Sequence, residues 1–315
     1  MSTPMHDDQI ALSPAAIERL VRDQYPALNG PIRIVGGTGT VNLIARVGDD
    51  VTARFPLRHE PPDEVLAQLE QEQRALAELA AVSPVPTPRP LGIGRPAHGY
   101  PLPWSLQTWL DGDDGWSAER LGGGTSGEAF ADDLATLIAA LRAADTGGRV
   151  FAGTNRGGSL ATHDGWVRTC LAETAALVDA PTLAGLTALW EQFLALPEAP
   201  GPDVMTHGDL IPGNVLVRPD DTGAPRLVGV LDGGGFGPAD RSLDLVAAWH
   251  LLEEGPRVRL RERLGSDELE WQRGRAWAFE QAMGLFWYYR TSNPLMSRLG
   301  ERTLSRLLGR RLPGR

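Results

Sequence analysis

Hydrophobic residues change their spacing several times along this chain. Near the start, Ile17, Leu20 and Val21 recur on one helical face behind Ser13-Pro14. Ser suits an N-cap and Pro the first helical position, so a helix is predicted to begin there. Short β-branched runs follow at 31–35, 41–47 and 51–55, separated by Gly36-Gly37-Thr38-Gly39-Thr40 and by Gly48-Asp49-Asp50. Such runs, joined by glycine-rich turns, predict three antiparallel strands. Pro61-Pro62-Asp63 then opens a helix carrying Val65, Leu66, Leu69, Leu76 and Leu79 at helical spacing, and the proline-rich run 83–88 ends it. Segments 91–93 and 104–110 read as two more strands that complete a small sheet.

Past Asp111-Gly112-Asp113-Asp114-Gly115 the pattern turns helical, first with Phe130, Leu134, Leu137, Ile138 and Leu141, later with Trp166, Val167, Cys170 and Leu171. Extended segments return between 205 and 231, and the last third is helical and tryptophan-rich. The expected fold is therefore α+β with two lobes: a β-rich lobe at 1–110 and a larger, mainly helical one at 111–315.

A length of 315 residues and an apolar fraction of 42% fit a globular protein with a sizeable core, not a disordered chain. The one cysteine, Cys170, has no partner for an internal disulfide. The N-terminus carries His6, Asp7 and Asp8 and lacks the basic start and apolar stretch of a signal peptide, and no apolar run is long enough for a bilayer. A cytoplasmic protein is expected, with no membrane partner. A net charge of −10 argues against nucleic acid, whose phosphates require clustered positive charge. The same balance is compatible with a cationic small molecule. All 30 basic residues are Arg.

The strongest chemical signal is His207-Gly208-Asp209-Leu210-Ile211-Pro212-Gly213-Asn214, followed by Val228-Gly229-Val230-Leu231-Asp232. Phosphoryl transfer requires a carboxylate beside the attacking hydroxyl and metal ligands that neutralise the phosphates. Asp209 fits the first role. Asn214 and Asp232 offer hard oxygen ligands for Mg²⁺, which keeps waters and phosphate oxygens as its remaining ligands. Upstream, Arg54 lies on the third strand, and Glu72 projects from the apolar side of the following helix, where a carboxylate needs a partner. In kinase-like folds a basic strand residue grips the phosphates and a helical Glu holds it, so Arg54 and Glu72 are expected to pair. The loop containing Gly37, Thr38, Gly39 and Thr40 lies one strand earlier, where exposed N–H groups can approach phosphates.

These residues resemble the aminoglycoside phosphotransferase family of kinase-like small-molecule enzymes, from about residue 32 to 308. The specific pieces are the run at His207, Asp240-x-x-x-Asp244-Leu245, the Glu72-x-x-x-Leu76 helix, and Pro103-Trp104-Ser105 through Trp109-Leu110-x-Gly112. The resemblance implies transfer of the terminal phosphate of ATP or GTP, with Mg²⁺, to a small-molecule hydroxyl. It also implies that Thr108, Trp109 and Leu110 form the hinge whose backbone meets the adenine, that Asp244 braces the catalytic loop, and that His207 is structural.

The sequence departs from the family at the strand-three position, commonly Lys and here Arg54, and after Asp232, where Gly233-Gly234-Gly235 replaces an aromatic, a glycine and an acid. Three glycines predict a freer loop. The acceptor is expected to be an aminoglycoside-type antibiotic, for which Glu253, Glu254 and Glu280 offer negative charge; a metabolic sugar, amino alcohol or amino acid fits the same residues. The alternative from another class is a non-catalytic nucleotide-binding scaffold. Nothing in the sequence specifies an oligomeric state.

Overall fold

A computed structural model describes residues 10–35, 42–120, 127–153 and 156–312. Two compact units divide the chain. The first comprises residues 1–81, 86–111 and 232–235, and the second comprises 82–85, 112–231 and 236–315.

In the first unit, helix α1 (Pro14–Gln24) starts as its sequence dictates: the Ser13 side chain accepts from the Ala16 N–H, and Pro14 occupies the first turn. A five-stranded antiparallel sheet follows, built from β1 (Ile32–Ile34), β2 (Asn42–Val47), β3 (Val51–Pro56), β4 (Pro90–Gly94) and β5 (Trp104–Thr108) in the order β1-β2-β3-β5-β4. Helix α2 (Pro62–Val82) connects β3 to β4. Because β3 is central, its residues are buried almost continuously. Arg54 sits there in register with Ile44 on one side and Ser105 on the other. The core joins Ile17, Leu20 and Val21 of α1 to Val47, Phe55, Val65, Leu69 and Trp104. Phe55 stacks on Trp104 at 4.9 Å, and Tyr100 donates its hydroxyl to the Pro56 carbonyl at 2.7 Å.

The second unit is mainly helical. It contains β6 (Asp113–Asp114), α3 (Gly115–Arg120), α4 (Glu128–Ala143), α5 (Asp164–Thr174), α6 (Ala180–Leu194), β7 (Val204–Thr206), β8 (Val215–Pro219), β9 (Pro225–Val230), β10 (Gly237–Ala239), α7 (Val246–Leu251), α8 (Glu254–Leu264), α9 (Glu268–Tyr288) and α10 (Pro294–Leu308). β6, β8 and β9 form one small sheet, and β10 pairs with β7. Helix α9 is the spine. Residues 276–283 on it are all buried, Trp190 of α6 stacks on Phe279, and α10 crosses it closely at Gly300, where a Cβ would stand 2.6 Å from the Phe286 nitrogen. Among the described residues no helix is long and apolar enough to cross a membrane.

Candidate functional site

The loop from His207 to Asn214 leaves β7 and enters β8, and its backbone is fixed by buried groups on all sides. Asp244, fully buried, accepts the His207 N–H through Oδ2 at 2.9 Å and the Gly208 N–H through Oδ1 at 2.7 Å. Gly208 adopts φ +77°, a conformation that favours glycine. Only 3% of His207 is exposed. Its Nε2 faces the Leu231 carbonyl at 2.9 Å, an acceptor, so Nε2 carries the proton; Nδ1 then accepts the Asp209 N–H at 3.3 Å. The imidazole is thus a strut between β9 and the loop, with both nitrogens engaged.

Asp209 emerges from this scaffold with a side chain 22% exposed. Asn214, in the one-turn helix at the loop's end, donates Nδ2 to the Asp209 carbonyl at 2.9 Å and to Oδ2 at 3.1 Å. Those bonds orient the amide and leave Oδ1 as its acceptor. The Leu231 N–H bonds the Asn214 carbonyl at 2.8 Å, so the two hairpin segments bearing the expected metal ligands are tied immediately before Asp232 in the chain. Asp240 anchors the segment that delivers Asp244: its Oδ2 accepts from Arg273 of α9 at 2.7 and 2.8 Å, and its Oδ1 accepts the Ser242 N–H at 2.9 Å.

In the first unit, Arg54 donates to Asp232 Oδ1 at 3.0 Å. The expected pairing of Arg54 with Glu72 is not what forms: among the described residues Arg54 pairs with Asp232, while Glu72 Oε1 accepts from Gln68 at 2.9 Å, one turn earlier on α2. An i, i+4 neighbour satisfies the carboxylate locally. Asp232 itself has φ +60°, sparsely populated for a residue with a side chain.

The expectation of a freer loop after Asp232 is also corrected. Gly233–Gly235 forms one tight helical turn pressed on α2, where a Cβ on Gly233 would lie 2.2 Å from Leu79 Cδ2, and one on Gly234 would lie 3.0 Å from Glu72 Cγ. Two of the three glycines permit close approach, and only Gly235 has open space around its Cα.

Of the hinge residues, two have their N–H groups engaged: Thr108 bonds the Arg89 carbonyl at 2.9 Å and Trp109 the Asp50 carbonyl at 2.7 Å. Leu110 is the remaining backbone donor of the three. Trp109 presents its ring to Arg46 at 4.5 Å and donates Nε1 to Asp111 at 2.9 Å. Gly37, Thr38, Gly39 and Thr40 lie outside the described residues.

One neighbour of Asp209 had no signal in the sequence. Arg156, from the loop between α4 and α5, forms an ion pair with Asp209 Oδ1. Residues 53 positions apart on a glycine-rich segment share no periodicity that would link them. Two of the three acidic residues considered for a cationic acceptor have partners within the protein. Glu253 pairs with Arg306, and Glu280 accepts from His163 Nδ1 at 3.2 Å, a bond that raises the His163 pKa above its usual value. Burial lifts the Cys170 thiol to about 11, so it is not a thiolate nucleophile near neutral pH.

Taken singly, the Asn214 amide oxygen and the Asp232 carboxylate are hard oxygen donors of the kind Mg²⁺ takes beside phosphate oxygens and waters. Among the described residues there is no cluster of three or more His, Cys, Asp or Glu placed to hold a metal.

Residues 36–278 match the model of the phosphotransferase enzyme family. A curated relative, the aminoglycoside 3'-phosphotransferase of Streptomyces fradiae, is 41% identical over 83 residues, a segment covering 24% of this chain and 30% of that protein. Among solved structures, the GDP and kanamycin complex of APH(2")-IIia superimposes with a TM-score of 0.69 at 18% identity, over 93% of this chain and 98% of that one. Macrolide 2'-phosphotransferase MphH from Brachybacterium faecium gives 0.57 at 21% identity, over 91% and 98%. These likenesses carry the two-lobed kinase-like fold.

Proposed function

Because the chain belongs to the phosphotransferase enzyme family, we propose that it transfers the terminal phosphate of ATP or GTP to a hydroxyl of a small molecule. The observation that carries this reading is the loop bearing Asp209: a carboxylate set beside Asn214 on a backbone that Asp244 and His207 hold rigid. In phosphoryl transfer the protein acts mainly by positioning and by electrostatics. Asp209 accepts the hydrogen bond of the acceptor hydroxyl, aims its oxygen at phosphorus and takes its proton as the ester forms. Asn214 Oδ1 and the Asp232 carboxylate would hold Mg²⁺, which supplies charge neutralisation on the phosphate oxygens when bound. Arg54 contacts the phosphates, and its bond to Asp232 keeps both groups oriented before the nucleotide arrives. Glu72 supports the turn after Asp232 through its packing on Gly234, in place of a direct grip on Arg54. The Leu110 N–H is the hinge donor for the base.

For the acceptor, an aminoglycoside-type antibiotic is the leading reading, supported by the curated relative and by the kanamycin complex among the structural neighbours. A second reading, a metabolic small-molecule acceptor, is favoured by the internal pairing of Glu253 with Arg306 and Glu280 with His163, which reduces the negative charge offered to a polycation. Nucleoside diphosphate release with Mg²⁺, measured against an aminoglycoside panel and a metabolite panel, separates them. Acceptor-dependent release with kanamycin-like compounds supports the first, and release with metabolites alone supports the second. Nucleotide binding with no acceptor-dependent release in either panel favours a scaffold.

A further inference from the structure

The interior of the helical unit contains a line of polar side chains that none of the roles above uses. Thr303 of α10 and His250 of α7 are completely buried, and Gln281 of α9 is 7% exposed. Thr303 Oγ1 lies 3.0 Å from His250 Nδ1, His250 Nε2 lies 3.2 Å from Gln281 Oε1, and Gln281 Nε2 donates to the Gly208 carbonyl at 3.2 Å. Burying three polar groups is costly unless each is hydrogen-bonded, and hydrophobic residues would fill the same space without that cost. The line therefore calls for an explanation at its end, and its end is the residue immediately before Asp209.

Chemistry fixes the direction of every bond. The Gly208 carbonyl only accepts, so Gln281 must point its amide nitrogen there and its oxygen toward His250. An oxygen facing the ring requires the proton on His250 Nε2. Burial holds the His250 pKa at about 3, against attraction from Asp209 and with Arg156 and Arg306 opposing its charge, so the ring is neutral and Nδ1 is an acceptor. It receives the Thr303 hydroxyl, whose oxygen stands 3.0 Å from Nδ1 and a longer 3.4 Å from the Trp249 carbonyl. Thr303 donates to His250, His250 to Gln281, and Gln281 to Gly208. Reversing Gln281 would place two acceptors against each other.

We propose that Gln281, oriented by His250 and Thr303, is a positioning residue for catalysis that sets the peptide plane joining Gly208 to Asp209. Asp244 holds the N–H side of Gly208, and Gln281 holds its carbonyl side. The Gly208–Asp209 peptide is thus held at its carbonyl by Gln281 and at its N–H by His207 Nδ1, with Asp244 fixing the peptide before it, so its rotation is restrained, and with it the direction in which the Asp209 side chain leaves the backbone. The bonds of Gln281 are to His250 and to the Gly208 carbonyl, so it acts through the loop. The assignment rests on Asp209 being the group that orients the acceptor.

Three measurements on the full chain test it. Nitrogen-15 NMR of labelled histidine should show, besides His207, a neutral, Nε2-protonated ring whose signal disappears in His250→Phe; a charged ring or the other tautomer at the signal lost in that variant overturns the relay. Gln281→Met keeps length and burial but cannot donate. Hydrogen exchange in this variant should accelerate at least about tenfold at the Ile211 and Asn214 amides, which close the loop's turns, while the amides of α10 keep their protection. Equal acceleration throughout, or none, overturns the proposal. In turnover, Gln281→Met should lower kcat by about 10-fold to 100-fold with KM for the nucleotide unchanged. An unchanged kcat in an active enzyme rejects the positioning role alone. Failure of the wild type to transfer phosphate rejects the functional reading instead, and the NMR and exchange results still decide whether the relay holds the loop.

Discussion

Arg156 and Asp209 are joined by an ion pair in the helical unit, although nothing in their local sequences connects them. One carboxylate oxygen of Asp209 therefore faces a guanidinium and the other faces the Asn214 amide. A carboxylate that must work beside phosphate is subject to like-charge repulsion, and a neighbouring cation offsets it. Arg156→Gln is expected to lower kcat by about tenfold, less than loss of an enclosed donor because the Arg156 side chain is 39% exposed. Steady-state kinetics checks this. An unchanged kcat would reduce the pair to a surface contact of the kind that contributes little.

Arg54 and Asp232 make the corresponding contact in the β-rich unit, with side chains 15% and 49% exposed. Such a half-open pair contributes at most about 1 kcal/mol to stability, so its importance lies in binding. Arg54→Ala should raise KM for the nucleotide about tenfold or more while shifting Tm only slightly, since a charged hydrogen bond to phosphate is lost. Arg54→Lys should retain most affinity as a point charge but lose the planar fork that meets Asp232. A large fall in Tm with unchanged KM in the alanine variant would reassign Arg54 to the fold.

The glycines after Asp232 differ in what surrounds them. Gly233→Ala forces Leu79, which is fully buried, to move and should cost about 1–3 kcal/mol. Gly235→Ala meets nothing within 4 Å and should stay within about 0.5 kcal/mol of wild type. Urea unfolding of the two variants measures the contrast. Equal effects would show that backbone freedom matters at these positions and not close approach.

Two histidines give the stability profile opposite slopes. His250, with a folded pKa of about 3 against an ordinary 6.5, stays neutral while the unfolded chain takes up a proton. Stability should therefore fall as pH drops from 6.5 toward 3, with a limiting slope of about 1.4 kcal/mol per pH unit. His163, raised by Glu280, contributes fully below 6.5 and loses its contribution as pH rises through its folded pKa. Urea midpoints between pH 8 and pH 5, above the range of ordinary carboxylates, should show the acid fall in wild type and a flatter one in His250→Phe. An acid slope that persists in that variant would assign it to other groups.

What the sequence made legible was whatever local chemistry dictates. Ser13-Pro14 specified the start of α1 because a cap and its helix are neighbours in the chain, and the turn Gly48-Asp49-Asp50 marked the end of β2 for the same reason. The loop from His207 to Asn214 could be recognised because its functional spacing is only five residues, and the bonds from Asn214 to Asp209 span that interval. Long-range choices were hidden. Glu72 was expected to reach Arg54, but the i, i+4 geometry that favours Gln68 competes with a strand residue whose position depends on tertiary packing. The glycines at 233 and 234 read as freedom because the sequence does not show that α2 lies against them. Arg156 and the line from Thr303 to Gly208 join residues brought together only by the folded helices.

The role of Asp209 is tested most directly by phosphorus NMR of the reaction mixture. With Mg²⁺, nucleoside triphosphate and an acceptor found in the panels, wild type should generate a phosphate monoester resonance, and Asp209→Asn should form it at least about 100-fold more slowly while binding nucleotide with unchanged affinity. An Asp209→Asn enzyme that makes the ester at the wild-type rate would contradict the account.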